Sequence, residues 1–163
     1  MILQFKKFNG TLIKNVGEYI KEWVTENPFG NVIIGCDSQE HAKYIKYAIT
    51  IVMHYIDEFK IGHGGHVIYA TYIDKNKNMK SDVYTKLWAE AEITINVAKM
   101  IGDIGKKITL HLDYNSDENE YSHVLYAAGL GYAKSEGFEA QGKPFSYVAS
   151  HTADKIAKTA GLN

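Results

Sequence analysis

The sequence contains no arginine: all 18 of its basic residues are lysine. The guanidinium group, which holds phosphates and guanine through two parallel hydrogen bonds, is therefore absent, although lysine still binds phosphate as a point charge. With 19 acidic residues the formal net charge is −1, so no overall positive field attracts nucleic acid. The simplest explanation of the all-lysine composition is a coding bias, with most of these charges on a solvated surface.

Cysteine and long apolar runs are also scarce. The single cysteine, Cys36, excludes an internal disulfide and a multi-cysteine zinc site, and it suits a reducing compartment. No apolar run is long enough to span a bilayer, and the opening MILQFKKFNG lacks the apolar core of a signal peptide. We therefore expect a cytoplasmic protein with no membrane partner. Its length, without a Pro-, Gly- or Ser-rich linker, predicts one domain over 1–163, with 1–30 as an N-terminal helical extension.

Hydrophobic spacing predicts the order of helices and strands. Apolar residues at helical spacing predict helices over 11–25, 83–101, 118–134 and 149–160. Runs rich in β-branched and aromatic residues predict strands over 2–8, 32–37, 44–55, 66–73, 108–112 and 138–143, with a glycine-rich turn at 61–65. A three-strand meander followed by alternating helices and strands predicts an α/β fold, a mixed sheet with helices on both faces.

Two of the predicted strands end in an acidic residue. Asp37 ends the run that begins at residue 32, and Asp113 follows the run 108–112. Sites in open α/β sheets form at the carboxyl ends of strands, so these carboxylates share a crevice if the two strands are neighbours. Two close carboxylates repel each other, and Mg²⁺ or Mn²⁺, which prefer oxygen ligands, would remove that repulsion. A turn or strand-end role explains either acid alone, but the pair favours a metal site.

Two of the predicted helices carry further candidate ligands. Glu90 shares a ridge of its helix with small and apolar side chains, whereas Glu92 shares one with polar side chains. We therefore predict that Glu90 faces the sheet, although both acids flank the apolar stripe and either could be a solvated helix former. Asp154 falls in the first turns of the last predicted helix, where the helix dipole favours an anion, so ordinary helix electrostatics is an equal alternative to a ligand role.

Other candidate residues have structural explanations that stay open. His63 and His66 have a metal-like spacing, but no third ligand accompanies them, and a plain hairpin is the favoured interpretation. His111 shares a strand face with Asp113 and could be a packed core residue. His151 could relay a proton, or it could be a capping or surface residue.

Polar and aromatic residues near the first strands also have two interpretations. Ser38 and Gln39 could orient substrate or water, and turn chemistry explains them equally well. The tyrosines of the meander could stack on bases, although tyrosine is also a good strand residue, and sheet packing is the favoured interpretation.

The acidic residues follow the order found in ribonuclease H-like enzymes: Asp37, a helical glutamate, Asp113 and Asp154. More closely, three segments resemble the YkuK-like family, a small bacterial group placed with ribonuclease H-like domains: Ile34-Gly35-Cys36-Asp37-Ser38-Gln39, Leu110-His111-Leu112-Asp113, and Lys143-Pro144 followed by Ala149-Ser150 and Ala153-Asp154. The resemblance covers roughly residues 30–160. One departure is Cys36, where the related pattern more often has threonine, and it does not involve the acids.

The resemblance implies a ribonuclease H-like fold and two-metal hydrolysis of phosphodiester bonds in RNA, DNA or a hybrid. Two Mg²⁺ or Mn²⁺ ions about 3.5–4 Å apart would activate water and stabilise the leaving oxygen. The ligands implied are Asp37, as the bridging residue, with Glu90, Asp113 and Asp154. Because one fold hosts many functions, two alternatives stay open: a nucleic-acid-binding module that has lost the chemistry, and a small-molecule phosphoryl-transfer enzyme.

Overall fold

The computed structural model describes residues 3–75 and 82–147. Within them the strands are β1 (Lys6–Lys7), β2 (Asn31–His41), β3 (Tyr44–Ile56), β4 (Gly62–Asp74), β5 (Ile108–Asn115) and β6 (Glu139–Lys143). The helices are α1 (Val16–Glu26), α2 (Val83–Ile101) and α3 (His123–Ser135). None of the helices in this part of the chain is long and apolar enough to cross a membrane.

All six strands belong to one mixed sheet with the order β1-β4-β3-β2-β5-β6. The strands β2, β3 and β4 form the predicted antiparallel meander, and β5 and β6 extend the sheet in parallel. The pairing of β2 with β5 runs from Val32↔Ile108 to Gly35↔His111. The strands predicted over 32–37 and 108–112 are therefore neighbours, as the proximity of their acids required.

The main core lies between the sheet and the three helices. Ile20 of α1, Ile95 of α2 and Ala133 of α3 all belong to the same cluster of buried residues. The opposite face carries a smaller cluster that includes Ile33 and Val52. All three described helices therefore pack on one face and not on both faces as predicted, and Glu90 reaches the sheet from that side.

The helix α2 has the predicted bounds because both of its ends are capped by local signals. The side chain of Asp82 accepts a hydrogen bond from the N–H of Thr85. Gly102 ends the helix at φ 75°, a positive value that favours glycine. The helix α1 begins later than predicted, at Val16, because the side-chain oxygen of Asn15 caps it there.

Two further predicted boundaries are wrong for identifiable reasons. The segment 61–65 is almost wholly part of β4, because the chain turns earlier, at Asp57, whose carboxylate accepts hydrogen bonds from two backbone N–H groups. The helix α3 begins at His123 and not five residues earlier, because the side chain of Asp117 holds the preceding residues in a turn. The helix predicted over 149–160 lies outside the described residues.

Candidate functional site

The two acids predicted at strand ends, Asp37 and Asp113, lie inside longer strands, so that part of the prediction is wrong. β2 continues past Asp37 because it stays paired with β3 as far as the hairpin, and β5 continues past Asp113 to meet β6. The parallel pairing of β2 with β5 nevertheless stops at Gly35↔His111, just before each acid. The two carboxylates therefore lie just past the last paired residues of neighbouring strands, and both point away from the face that carries the core residues Cys36 and Leu112.

The helix α2 brings a third carboxylate to this corner of the sheet. Glu90 is only 6% exposed, whereas Glu92 is exposed, so the prediction that Glu90 faces the sheet is confirmed. The hydroxyl of Ser38 donates a 2.6 Å hydrogen bond to Glu90 Oε1. The backbone N–H of the same serine donates a 2.9 Å bond to Asp37 Oδ1. Ser38 therefore links the helical acid to the strand acid, and the ligand role of both acids stays a prediction.

The second oxygen of Glu90, Oε2, is buried and has no hydrogen-bond partner. Burial is the main cause that raises the pKa of Glu90 to about 8, and the charges of Asp37 and Asp113 add to it, while the hydrogen bond from Ser38 opposes it. The carboxyl group is therefore mostly protonated at neutral pH when no cation is nearby. The buried oxygen of Glu90 has no partner, and two further carboxylates are near enough to act on it. A cation bound there would stabilise all three groups.

A lysine reaches the same corner from the edge of the sheet. Lys143, the last residue of β6, places Nζ 2.7 Å from Asp113 Oδ1. Burial alone would lower the pKa of Lys143, but the hydrogen bond and charge of Asp113, together with the charge of Asp37, raise it above its ordinary value. Sequence reasoning missed this contact: the Lys143-Pro144 pair contributed to the family resemblance but indicated no role.

The donor atoms at this corner suit a hard cation. Asp37, Glu90 and Asp113 offer carboxylate oxygens, the ligands that Mg²⁺ and Mn²⁺ prefer, and Glu90 Oε2 lacks a partner. In this conformation the described residues contain no group of three or more His, Cys, Asp or Glu side chains arranged to hold a metal ion. Asp154, the fourth predicted ligand, lies outside the described residues. A cation that binds Asp113 has to compete with the Lys143 ammonium.

The two histidines with metal-like spacing bind separate partners. His63 Nε2 lies 2.7 Å from the carboxylate of Asp57, and His66 Nε2 lies 2.7 Å from the hydroxyl of Tyr19. They sit in the strand β4 and share no ligand, which agrees with the hairpin interpretation. His151 lies outside the described residues.

A cavity of about 660 Å³ opens beside the acids, where β5 and β6 end. Asn115, Lys143, Ser146 and Tyr147 line it, together with the turn that follows β5. The ring of Tyr147 packs edge-on against His111, with ring centroids 4.9 Å apart. Burial lowers the pKa of His111 to about 4, so this 2%-exposed histidine is a neutral, packed residue, one of the two roles considered for it.

One protein-family model matches most of the chain. It is the ribonuclease H-like family model, and the match spans residues 11–158. Together with the six-stranded mixed sheet, it confirms the fold class predicted from the order of strands and acids. No curated protein is significantly similar to the chain.

Proposed function

We propose a function from one premise: the chain belongs to the ribonuclease H-like family. The proposed activity is hydrolysis of phosphodiester bonds in nucleic acid, either RNA, DNA or a hybrid, with Mg²⁺ or Mn²⁺ as cofactor. Asp37, Glu90 and Asp113 would hold the ions, with Asp154 as a fourth ligand. Because a fold hosts many activities, the residues of the site have to carry the argument.

The observation that carries the proposal is the buried, unpartnered Oε2 of Glu90. A buried carboxyl group costs free energy unless both oxygens find partners, and an apolar side chain at this position of α2 would avoid that cost. Buried acids with strongly raised pKa values, beside other charged groups, are concentrated at functional sites. The charges of the two strand acids act on Glu90, and their carboxylates would supply the rest of an oxygen-ligand set.

The residues of the corner would divide the work between them. When bound, the metal ions would supply an activated water and a positive charge for the leaving oxygen. Ser38 holds Oε1 of Glu90 and so fixes the orientation of that carboxyl group. Glu90 holds a proton at neutral pH and has to release it before its oxygens can bind a dication, so we expect metal affinity to rise with pH. The ammonium group of Lys143 has three N–H donors, so it would contact a substrate phosphate while it remains beside Asp113.

The second candidate is a nucleic-acid-binding module without chemistry, and the ion pair between Lys143 and Asp113 favours it. That pair already neutralises one of the acids without a metal ion. A module of this kind would bind nucleic acid with an affinity that falls as salt rises, and it would release no product.

Crystals grown with Mn²⁺ test the proposed site directly. Anomalous scattering should place the ion on Asp37 and Asp113, within reach of Glu90. Density elsewhere, with those two carboxylates more than one water molecule away, would remove the metal site from the proposal.

Thermal melting of Asp37→Asn gives the companion test in solution. Without metal the variant should melt at the same temperature as the wild type or higher, because it relieves repulsion between carboxylates. Added Mg²⁺ should stabilise the wild type more than the variant, since only the wild type keeps the full ligand set. The matched control is Asp103→Asn, in the exposed loop after α2, which should gain as much as the wild type.

Cleavage assays with Mn²⁺ and labelled single strands, duplexes and hybrids separate the two candidate functions. Metal-dependent products would support the nuclease. Salt-sensitive binding with no product on any substrate would refute the nuclease and support the binding module.

A further inference from the structure

The cavity at the ends of β5 and β6 begins beside the acidic corner. β5 passes from Asp113 to Asn115, so the acid and the cavity wall are two residues apart, or about 7 Å along a strand. Lys143 belongs to both places, because it lines the cavity and contacts Asp113. A molecule in the cavity would therefore lie next to whatever the acids act on.

The size of the cavity limits what can enter. Its volume of about 660 Å³ falls within the roughly 300–1,000 Å³ range of small-ligand sites. A base in a duplex is paired at its edge and stacked on both faces, and it can enter such a pocket only after it leaves the stack. The cavity is therefore large enough for a single unpaired nucleotide.

One exposed aromatic ring lines the cavity, and two others belong to neighbours of its lining residues. Tyr147, in its wall, is 44% exposed, while its contact with the buried His111 holds the ring in place. Phe145, two residues earlier, is 70% exposed. Tyr121 is 54% exposed and lies close enough to Lys143 to raise its pKa. Exposed rings beside a cationic group are typical of single-strand binding sites, where bases stack on them without regard to sequence.

The lining of the cavity carries one cationic and one anionic side chain, Lys143 and Asp117. Lys143 contributes an ammonium group at the wall nearest the acids, where a phosphate would be stabilised. Asp117 lines another part of the wall, and its carboxylate already accepts hydrogen bonds from Asn119, so a phosphate is disfavoured there. The phosphate end is therefore at Lys143, and the ring of Tyr147 is left for the base.

We propose that this cavity binds one unpaired nucleotide of a single-stranded nucleic acid, with its base against Tyr147 and its phosphate at Lys143. The site would therefore select single strands, or frayed ends, over intact duplex. The inference depends on the proposed function only for the acid-bound phosphate that would lie next to this nucleotide, because the binding itself requires no cleavage.

Fluorescence anisotropy in EDTA, where no metal-dependent cleavage occurs, tests the binding. The probes are fluorescein-labelled oligothymidylate and oligouridylate of about a dozen residues, within the usual footprint of such sites, and a blunt hairpin of similar length. The wild type should bind both single strands more tightly than the hairpin. Tyr147→Ala should weaken single-strand binding about tenfold, whereas Tyr147→Phe, which keeps the ring, should bind like the wild type.

Two matched variants guard against general effects of substitution. Tyr55→Ala removes a similarly exposed ring that packs against Trp23 at the opposite end of the sheet, and it should bind like the wild type. Lys143→Met should weaken single-strand binding several-fold, and Lys107→Met, at an exposed pair on the same two strands, should not. Circular dichroism shows that each variant is folded before its affinity is measured.

The outcomes separate this inference from the proposed function. Equal binding by Tyr147→Ala and the wild type, or equal affinity for hairpin and single strand, would overturn the inference even if the protein cuts nucleic acid. Tyr147-dependent binding of single strands without any cleavage would support the inference and refute the nuclease.

Discussion

The strands β5 and β6 are joined by a lysine–carboxylate pair at each end, and the two pairs have similar lengths but different surroundings. At the start of the strands, Lys107 Nζ lies 2.9 Å from Glu139 Oε1, with side chains 79% and 58% exposed. At the far end, Lys143 Nζ lies 2.7 Å from Asp113 Oδ1, with side chains 39% and 21% exposed. We call these the outer pair and the inner pair.

Contact distance alone does not predict what an ion pair does. The outer pair lies in solvent, where water and salt screen the attraction and such pairs contribute little to stability. The inner pair lies beside Asp37 and the buried Glu90, where fewer water molecules screen each charge. Removal of Lys143 would leave Asp113 facing other carboxylates without a counter-charge. The inner pair therefore neutralises charge within the acidic corner, which the outer pair does not.

The largest expected effect is on the rate of cleavage, and it follows from replacing one oxygen by nitrogen in the acid next to the inner pair. Glu90→Gln should lower the rate of Mn²⁺-dependent cleavage by about a thousandfold, because it removes a charged ligand from the proposed site. Glu92→Gln, two residues further along the helix and exposed, should retain most activity. Initial rates on a labelled oligonucleotide measure both. Reversed behaviour of the two variants would mean that the wrong ridge of α2 holds the ligand.

The next effect is on stability as a function of pH without metal. The pKa of Glu90 is raised to about 8, so the native state keeps a proton that the unfolded state releases at lower pH. The stability that this group contributes is present in full below its unfolded pKa and is lost as pH rises through about 8. Urea unfolding in EDTA should show a loss on the order of 3 kcal/mol between roughly pH 5 and 9.

Two variants control this pH prediction. Glu90→Gln cannot ionise and should show a much flatter profile, whereas Glu139→Gln, in the outer pair, should follow the wild type. A wild-type profile as flat as that of Glu90→Gln would show that the buried carboxyl does not titrate in this range.

A smaller effect concerns the affinity for metal. Lys143→Met should tighten Mg²⁺ binding about tenfold, because it removes an ammonium group that competes for Asp113 and repels a dication. Lys107→Met should change the dissociation constant by less than about twofold, because its charge lies in screened solvent. Isothermal titration calorimetry measures both. An unchanged constant in Lys143→Met would show that the inner pair does not oppose the ion.

The smallest expected effect is the change in melting temperature when the outer pair is removed. Lys107→Met should shift the melting temperature by about 1 °C or less, as expected for a screened surface pair. Lys143→Met, in EDTA, should lower it by a few degrees, because Asp113 loses its counter-ion beside other acids. Calorimetric scans at low and high salt check both, and similar shifts for the two variants would show that the two pairs contribute alike to stability.

Features that depend on local sequence could be predicted. The predicted bounds of α2 match the structure because its apolar residues recur at helical spacing, and the caps at Asp82 and Gly102 explain why the helix ends there. The same periodicity correctly predicted that Glu90 lies on the ridge that faces the sheet. The closeness of Asp37 and Asp113 followed from the rule that sites form beside neighbouring strands, although both strands run past their acids.

Features that depend on strand register could not be predicted. The contact of Lys143 with Asp113 requires β6 to lie beside β5 with an irregularity between His111 and Asn115, and no nearby residue signals that shift. The glycine-rich segment at 61–65 was misassigned because Gly62 and its neighbours pair with β3, where their pairing with a distant strand outweighs their preference for turns. Ser38 was already a candidate residue, but its contact with Glu90 is evident only from the 2.6 Å hydrogen bond between its hydroxyl and that carboxyl group.

The ammonium group of Lys143 is attached to the chain, so it cannot be diluted. Its presence at Asp113 depends on the folded geometry alone, whereas occupancy by a free ion follows the concentration of that ion. A newly synthesised chain would therefore find a counter-charge for this carboxylate even where divalent ions are scarce. Folding would not have to wait for the ion, and the supply of the ion could set when the folded protein begins to work.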